Sequence, residues 1–180
     1  MRPRDLYCPA LLLGLLLLGG CDNNTPLMKA VMHEDITEAQ KLAAEGDVDA
    51  RNNYGWTALT HAARVGNTEL ITLLLDRGAD INAQDESGAT ALIRASTRGN
   101  TEAVKLLIAR GADVNLGDRT RATALHWAAN RDHIDIVQML ITAGADLTAR
   151  DEQGMTPMMA AMNKGRNNIA LLLQRAGARE

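Results

Sequence analysis

The sequence predicts an all-α fold, built from a pair of helices that recurs along the chain. Aromatic residues make up only 2% of the 180 residues, with no Phe. The core must therefore consist of Leu, Ile, Val, Met and Ala, which favours closely packed helices over a β-sandwich or barrel. Three sets of residues recur every 33 positions: Thr57, Thr90, Thr123 and Thr156; Gly78, Gly111, Gly144 and Gly177; and Asn52, Asp85, Asp118 and Asp151. A period of this length is typical of stacked repeats.

The first element, residues 1–20, has the pattern of a signal peptide. Arg2 and Arg4 precede an apolar run over residues 10–18. This run is shorter than the roughly 20 helical residues that cross a bilayer, but it has the length of a secretory apolar region. The segment ends Leu18-Gly19-Gly20-Cys21, which resembles the lipobox of bacterial lipoproteins. The alternative is an ordinary cleaved signal peptide followed by an incidental Cys21.

The lipobox resemblance implies that Cys21 is acylated, with palmitate among its chains, and becomes the first residue of the mature protein. Residues 21–24 then form the lipidated cysteine and a short linker. The protein would be anchored in the cell envelope facing the periplasm, or facing the exterior in a bacterium with one membrane. Asp22 resembles the residue that keeps enteric lipoproteins at the inner membrane. Cys8 and Cys21 flank the cleavage point, so we expect no internal disulfide and no cysteine-based metal site.

Each repeated unit consists of a short helix, a turn, a second helix and an extended stretch. One example of the first helix is Thr123-Ala124-Leu125-His126-Trp127-Ala128-Ala129. Both the period and this motif resemble the ankyrin repeat, whose first helix opens with Thr-Pro-Leu-His-x-Ala. The resemblance covers residues 25–180. It implies a solenoid of helix-turn-helix units joined by β-hairpin-like loops, with hairpin tips and first helices forming a concave recognition surface.

The register of the motif predicts five units. The expected boundaries are an N-terminal capping repeat at 25–51, full repeats at 52–84, 85–117 and 118–150, and a C-terminal capping repeat at 151–180. The terminal units carry Glu38, Lys41 and Gln174 where inner units have apolar residues. Polar substitution on an end repeat keeps a stack soluble, so the array is predicted to be complete.

No pattern in the sequence predicts catalysis. His126 occupies the histidine of the repeat signature, which in the family bonds backbone between adjacent units, and His133 lies at the turn between helices. There is no glycine-rich phosphate loop, Gly-x-Ser-x-Gly elbow or His-Glu-x-x-His sequence. We expect no catalytic residue, metal ion or cofactor, and an enzyme is the least favoured interpretation.

Residues that do not recur are the candidates for specific recognition. Tyr54 and Trp56 lie at a predicted hairpin tip, and Trp127 lies on a predicted first helix. Family geometry places these positions on the concave side, and tyrosine and tryptophan are frequent in interface hot spots. The alternative is that Trp56 or Trp127 packs locally between units.

Basic residues give a second candidate feature. Arg98, Arg131 and Lys164 are 33 residues apart at the ends of first helices, with Arg64 and Arg94 nearby. They predict either a positive stripe for an acidic partner or cations that stabilise helix C-termini. Arg121 replaces the hairpin glycine of the other units, and a left-handed backbone would be strained there.

These observations predict a non-enzymatic binding module, membrane-anchored by its N-terminal lipid, that holds an envelope protein on its concave face as an adaptor or scaffold. The net charge of −3 with interspersed signs gives no general attraction to nucleic acid. A monomer is expected. The alternative is an inhibitor or immunity protein for a periplasmic toxin or enzyme.

Overall fold

The computed structural model describes residues 23–178. These residues form ten α-helices and no strand, which confirms the predicted all-α class. The predicted signal peptide, Cys21 and Asp22 lie outside the described residues. The helices are α1 (Pro26–Met32), α2 (Ile36–Glu45), α3 (Ala58–Val65), α4 (Thr68–Asp76), α5 (Ala91–Arg98), α6 (Thr101–Ala109), α7 (Ala124–Arg131), α8 (Ile134–Thr142), α9 (Pro157–Asn163) and α10 (Asn167–Arg175).

The helices form two layers. The odd-numbered helices pack in sequence from α1 to α9, and the even-numbered helices from α2 to α10 form the second layer. The odd-numbered helices lie closer together because their contacts are made by small residues such as Ala62, Ala95 and Ala128, all fully buried. This difference in spacing curves the stack, with the odd-numbered helices on the inner side. Among residues 23–178, no helix has both the length and the hydropathy needed to cross a membrane.

The recurring threonines are helix N-caps. The side chains of Thr25, Thr57, Thr90 and Thr156 each accept a hydrogen bond from the backbone N–H three residues later, over 3.2–3.3 Å. A cap of this kind is worth about 1 kcal/mol, because it satisfies a donor that the helix leaves unpaired. The 33-residue period of threonine therefore marks where α3, α5, α7 and α9 begin, and Thr25, 32 residues before Thr57, marks the start of α1.

The recurring Asn/Asp residues hold the hairpin tips. The Oδ1 atom of Asp85 accepts hydrogen bonds from the backbone N–H groups of Ser87 (2.8 Å) and Ala89 (3.1 Å). The other three tips repeat this arrangement with Asn52, Asp118 and Asp151. Consecutive tips are also joined, as in the hydrogen bond from the Glu86 backbone N–H to the Tyr54 carbonyl oxygen (2.9 Å). The tips therefore form a continuous row beside the odd-numbered helices.

One hairpin tip departs from the pattern. Gly55, Gly88 and Gly154 have φ angles of 71°, 77° and 74°, and Arg121 occupies the matching position with a φ of 62°. The left-handed conformation costs a residue with a side chain roughly 1–2 kcal/mol. Arg121 is therefore strained, as the sequence predicts for a left-handed backbone at this position.

The end of α5 shows how closely adjacent repeats approach. Gly99 ends the helix with a φ of 79°, and a Cβ there would lie 2.6 Å from the imidazole Cε1 of His133 in the next repeat. Glycine meets both requirements, a left-handed backbone and an absent side chain.

Candidate binding groove

A groove of about 920 Å³ lies between the row of hairpin tips and the helices α3, α5 and α7. Five of the residues singled out from the sequence line it together: Tyr54, Trp56, Arg64, Arg94 and Trp127. Tyr54 is 59% exposed, and both tryptophans are half-buried. The three aromatic residues are therefore on the inner side of the stack, where their side chains remain accessible.

Trp56 is held by its neighbours. The ring of His61 lies 4.8 Å from that of Trp56, centroid to centroid. The guanidinium groups of Arg64 and Arg94 lie 5.3 Å and 4.8 Å from the Trp56 ring centroid. These distances are within the range of cation–π attraction. Trp56 is therefore both packed locally, as one interpretation of the sequence expects, and available to the groove.

Arg94 and Trp127 occupy the same position in adjacent repeats and make equivalent contacts. Arg94 Nε donates a hydrogen bond to Oδ2 of Asp85 (3.0 Å), and a second guanidinium nitrogen completes the ion pair. Trp127 Nε1 donates to Oδ2 of Asp118 (2.9 Å). In both repeats the helix side chain reaches the hairpin carboxylate nine residues earlier. In the sequence, Asp85 and Asp118 stand out only as members of a set that recurs every 33 residues, although their constant separation of nine residues from Arg94 and Trp127 is a signal of this second contact.

Arg64 differs from Arg94 in its charge balance. Arg94 is neutralised by Asp85, whose side chain is fully buried. Arg64 forms no ion pair with any residue in the described part of the chain, and its Nε atom is buried without a hydrogen bond there. Burial of the guanidinium, followed by repulsion from Arg98 and Arg94, lowers the pKa of Arg64. The groove therefore contains an uncompensated positive charge beside Trp56.

The predicted column of basic residues lies outside the groove lining, although Arg98 is near enough to repel Arg64. Arg98 and Arg131 end α5 and α7, and Lys164 follows α9; all three are exposed and stand outside the residues that line the groove. Their positions fit cations that stabilise helix C-termini. Arg64 lies one residue before the position of α3 that matches this column. Because successive residues of an α-helix are about 100° apart around the axis, its side chain points in a different direction from those of the column. Thr97 is the residue of α5 that matches Arg64, and it also lines the groove.

The groove continues on the far side of Trp127. A second depression of about 400 Å³ is lined by Trp127, His126, Met155 and Glu152. His126 is buried, its Nε2 lies 3.1 Å from the Met155 carbonyl oxygen, and its Nδ1 accepts from the Thr123 backbone N–H (3.2 Å). Burial lowers the pKa of His126, although the Met155 carbonyl and nearby aspartates oppose the shift. His126 therefore joins adjacent repeats as a neutral imidazole.

A known family profile matches the repeats described above. A family profile described as "Ankyrin repeats (3 copies)" matches residues 9–85, 82–151 and 123–179. The chain belongs to the ankyrin-repeat family. Ankyrin repeats are protein–protein interaction modules and are typically non-enzymatic. In the part of this chain that the structure describes, no three His, Cys, Asp or Glu side chains are grouped so that they could hold a metal ion.

Curated relatives share the repeats but are far longer proteins. The "Ankyrin repeat, SAM and basic leucine zipper domain-containing protein 1" of Neofelis nebulosa is 46% identical over 59 residues, and its namesake in Mus musculus is 44% identical over 59 residues. Each alignment covers 32% of this ankyrin-repeat chain and 12% of the relative. The similarity to these relatives therefore concerns a short run of repeats.

Proposed function

We propose that this ankyrin-repeat protein is a lipid-anchored, non-enzymatic module of the bacterial envelope that binds a protein partner in the groove and acts as an adaptor. The observation that carries the proposal is the grouping of Tyr54, Trp56 and Trp127 along one accessible groove. Aromatic residues of this kind supply most of the binding energy in many interfaces.

Preorganisation of the aromatic side chains supports this function. Trp56 is fixed by His61, Arg64 and Arg94, and Trp127 is fixed by its hydrogen bond to Asp118. Side chains that are already ordered lose less conformational entropy when a partner binds. The groove thus suits recognition of a partner by a rigid surface, and binding of this kind involves no chemical reaction.

The proposed anchor lies close to the groove along the chain. Asn24 lines the groove, and its Oδ1 accepts a hydrogen bond from Asn52 Nδ2 (2.7 Å). Cys21 precedes Asn24 by three residues, which span at most about 10 Å. A lipid on Cys21 would therefore hold the groove near the bilayer, where a membrane-associated envelope protein is within reach. The residue after the lipidated cysteine, Asp22, favours the inner membrane.

The double variant Trp56→Ala/Trp127→Ala tests the groove. Partners are first identified by capture from bacterial membranes, and the affinity of each purified partner is then measured for wild type and variant. We expect the variant to bind at least about tenfold more weakly, because the loss of one hot-spot residue alone costs about 2 kcal/mol or more. Ile134→Ala on α8, a residue 45% exposed, is the matched control on the even-numbered layer. A folded double variant with wild-type affinity for every partner would refute the proposal.

A further inference from the structure

We infer that the groove recognises an acidic, partly apolar peptide segment of its protein partner. Its carboxylate is bound at Arg64, with Arg98 adding positive charge from just outside the groove, and its apolar side chains pack against Trp56, Ile93 and Trp127. This inference rests on the proposed function, because it specifies which chemistry the protein partner presents to the groove.

The arginine side chains around Trp56 are only partly neutralised. Arg64, Arg94 and Arg98 are close enough for the other two to lower the pKa of Arg64 by repulsion, in addition to the effect of burial. Asp85 neutralises Arg94. Arg64 and Arg98 have no ion-pair partner among residues 23–178. A carboxylate placed at Arg64 would relieve the repulsion and accept charge-assisted hydrogen bonds, which are stronger than those between neutral groups.

The acidic residues of the groove lie at its other edge. Glu86 and Asp118 belong to hairpin tips, at the N-terminal ends of the odd-numbered helices, whereas Arg64 and Arg98 lie in the last turns of α3 and α5. Asp118 is already occupied by the indole N–H of Trp127 and by its own turn. Arg119 also lines the groove at the hairpin edge, which therefore carries charges of both signs, whereas at the helix-end edge the charged lining residue is Arg64. This difference favours an orientation in which a bound carboxylate lies at Arg64.

The shape and lining of the groove favour a polypeptide over a lipid surface. The groove is a recess of about 920 Å³ on the inner side of a curved stack, with Trp56, Ile93 and Trp127 among its lining residues. Such a recess accepts protruding apolar side chains, whereas a bilayer surface is flat. The protein also has a net charge of −3, which opposes binding of its surface to an anionic membrane.

Intrinsic fluorescence provides a direct test, because Trp56 and Trp127 are the two tryptophans of the chain and both line the groove. The probes are a blocked peptide of alternating Glu and Leu, the same peptide with Gln for Glu, and vesicles that contain phosphatidylglycerol. We expect the Glu/Leu peptide to bind about tenfold more tightly than the Gln/Leu peptide. Added salt should reduce this preference.

The variant Arg64→Gln/Arg98→Gln should bind both peptides equally. Lys105→Gln/Arg175→Gln removes the same charge from exposed positions on α6 and α10 and should keep the tenfold preference. Arg64→Lys retains the charge at this position and should keep most of the preference. Circular dichroism establishes that each variant is folded.

Four results would overturn the inference: no binding of the Glu/Leu peptide, equal binding of both peptides to wild type, a preference that survives in the folded Arg64→Gln/Arg98→Gln variant, or vesicles that give the same arginine-dependent response. A different result would refute the proposed function. It is refuted when Trp56→Ala/Trp127→Ala leaves partner affinity unchanged, whereas a partner that depends on the tryptophans but not on Arg64 and Arg98 refutes only the acidic segment.

Discussion

The indole N–H of Trp127 donates a hydrogen bond to Oδ2 of Asp118, 2.9 Å away, while Oδ1 of the same carboxylate holds the hairpin tip. One aspartate thereby joins the hairpin to helix α7 and fixes an aromatic side chain of the groove. In the preceding repeat Asp85 has the same two roles, with Arg94 as its partner.

The first prediction concerns this hydrogen bond. Trp127→Phe keeps an aromatic ring but removes the donor, and we expect the free energy of unfolding to fall by about 1 kcal/mol. Urea denaturation followed by circular dichroism measures the change. Asp118→Ala removes the turn acceptor as well and should cost more. Equal stability of Trp127→Phe and wild type would show that the contact is energetically neutral.

The second prediction concerns strain at Arg121. Arg121→Gly removes a left-handed penalty of roughly 1–2 kcal/mol and adds the backbone entropy of glycine, about 0.5–1 kcal/mol. The free energy of unfolding should therefore rise by about 0.5–1 kcal/mol. Gly154→Ala is the reverse control, because no atom lies within 4 Å of an added Cβ and only backbone conformation is changed. A loss of stability in Arg121→Gly would contradict the strain at this hairpin tip.

The third prediction concerns pH. Burial lowers the pKa of His126 in the folded protein, so the unfolded chain binds a proton more readily than the folded chain. The contribution of His126 to stability is therefore complete above the unfolded value of about 6.5, and it is lost as the pH falls from there toward the folded pKa. Protonation would also place a donor on Nδ1 against the Thr123 N–H.

Urea denaturation at a series of pH values between about 7.5 and 5 measures this loss. His126→Thr is the matched variant, because threonine occupies the equivalent position 60. It should show a shallower decline in stability below pH 6.5 than wild type. Parallel curves for the two proteins would exclude His126 as the group responsible.

The fourth prediction concerns the anchor. Cys21→Ala removes the thiol that the acyl chains require, so the variant should appear in the soluble periplasmic fraction. Several acyl chains give stable membrane attachment, because each buried CH₂ contributes about 0.8 kcal/mol. Fractionation and mass measurement of the mature N-terminus test this directly. A Cys21→Ala protein that remains wholly with membranes would show that acylation is not what holds it there.

The repeat pattern was sufficient to predict most of the fold. Each threonine of the period lies at the start of a helix, and the side chains of Thr57, Thr90 and Thr156 cap it. Each Asn/Asp of the period holds a hairpin tip. Both kinds of contact are made within a few residues along the chain. The resemblance to ankyrin repeats implied that Tyr54, Trp56 and Trp127 lie on the inner side of the stack, where the groove is found.

Contacts between distant residues and the direction of single side chains were harder to predict. Arg64 and the column of Arg98, Arg131 and Lys164 look alike in the sequence, yet one position along a helix turns a side chain about 100° away. Arg64 therefore lines the groove, whereas the column does not. The ion pair between Arg94 and Asp85 was not predicted, because Asp85 belongs to a set that recurs in every inner repeat and so does not point to a contact with the non-recurring Arg94.

The close approach of Gly99 to His133 also limits how such an array can change in length during evolution. Gly99 lies against the imidazole of the next unit, and Gly66 lies in the same way against the side chain of Asn100, so a unit inserted between Gly99 and His133 must offer a glycine to His133 and a fitting side chain to Gly99. Duplication of a whole unit preserves that match only when the boundary residues are copied in order. Recombination that replaced Gly99 by a residue with a side chain would instead place its Cβ 2.6 Å from Cε1 of His133.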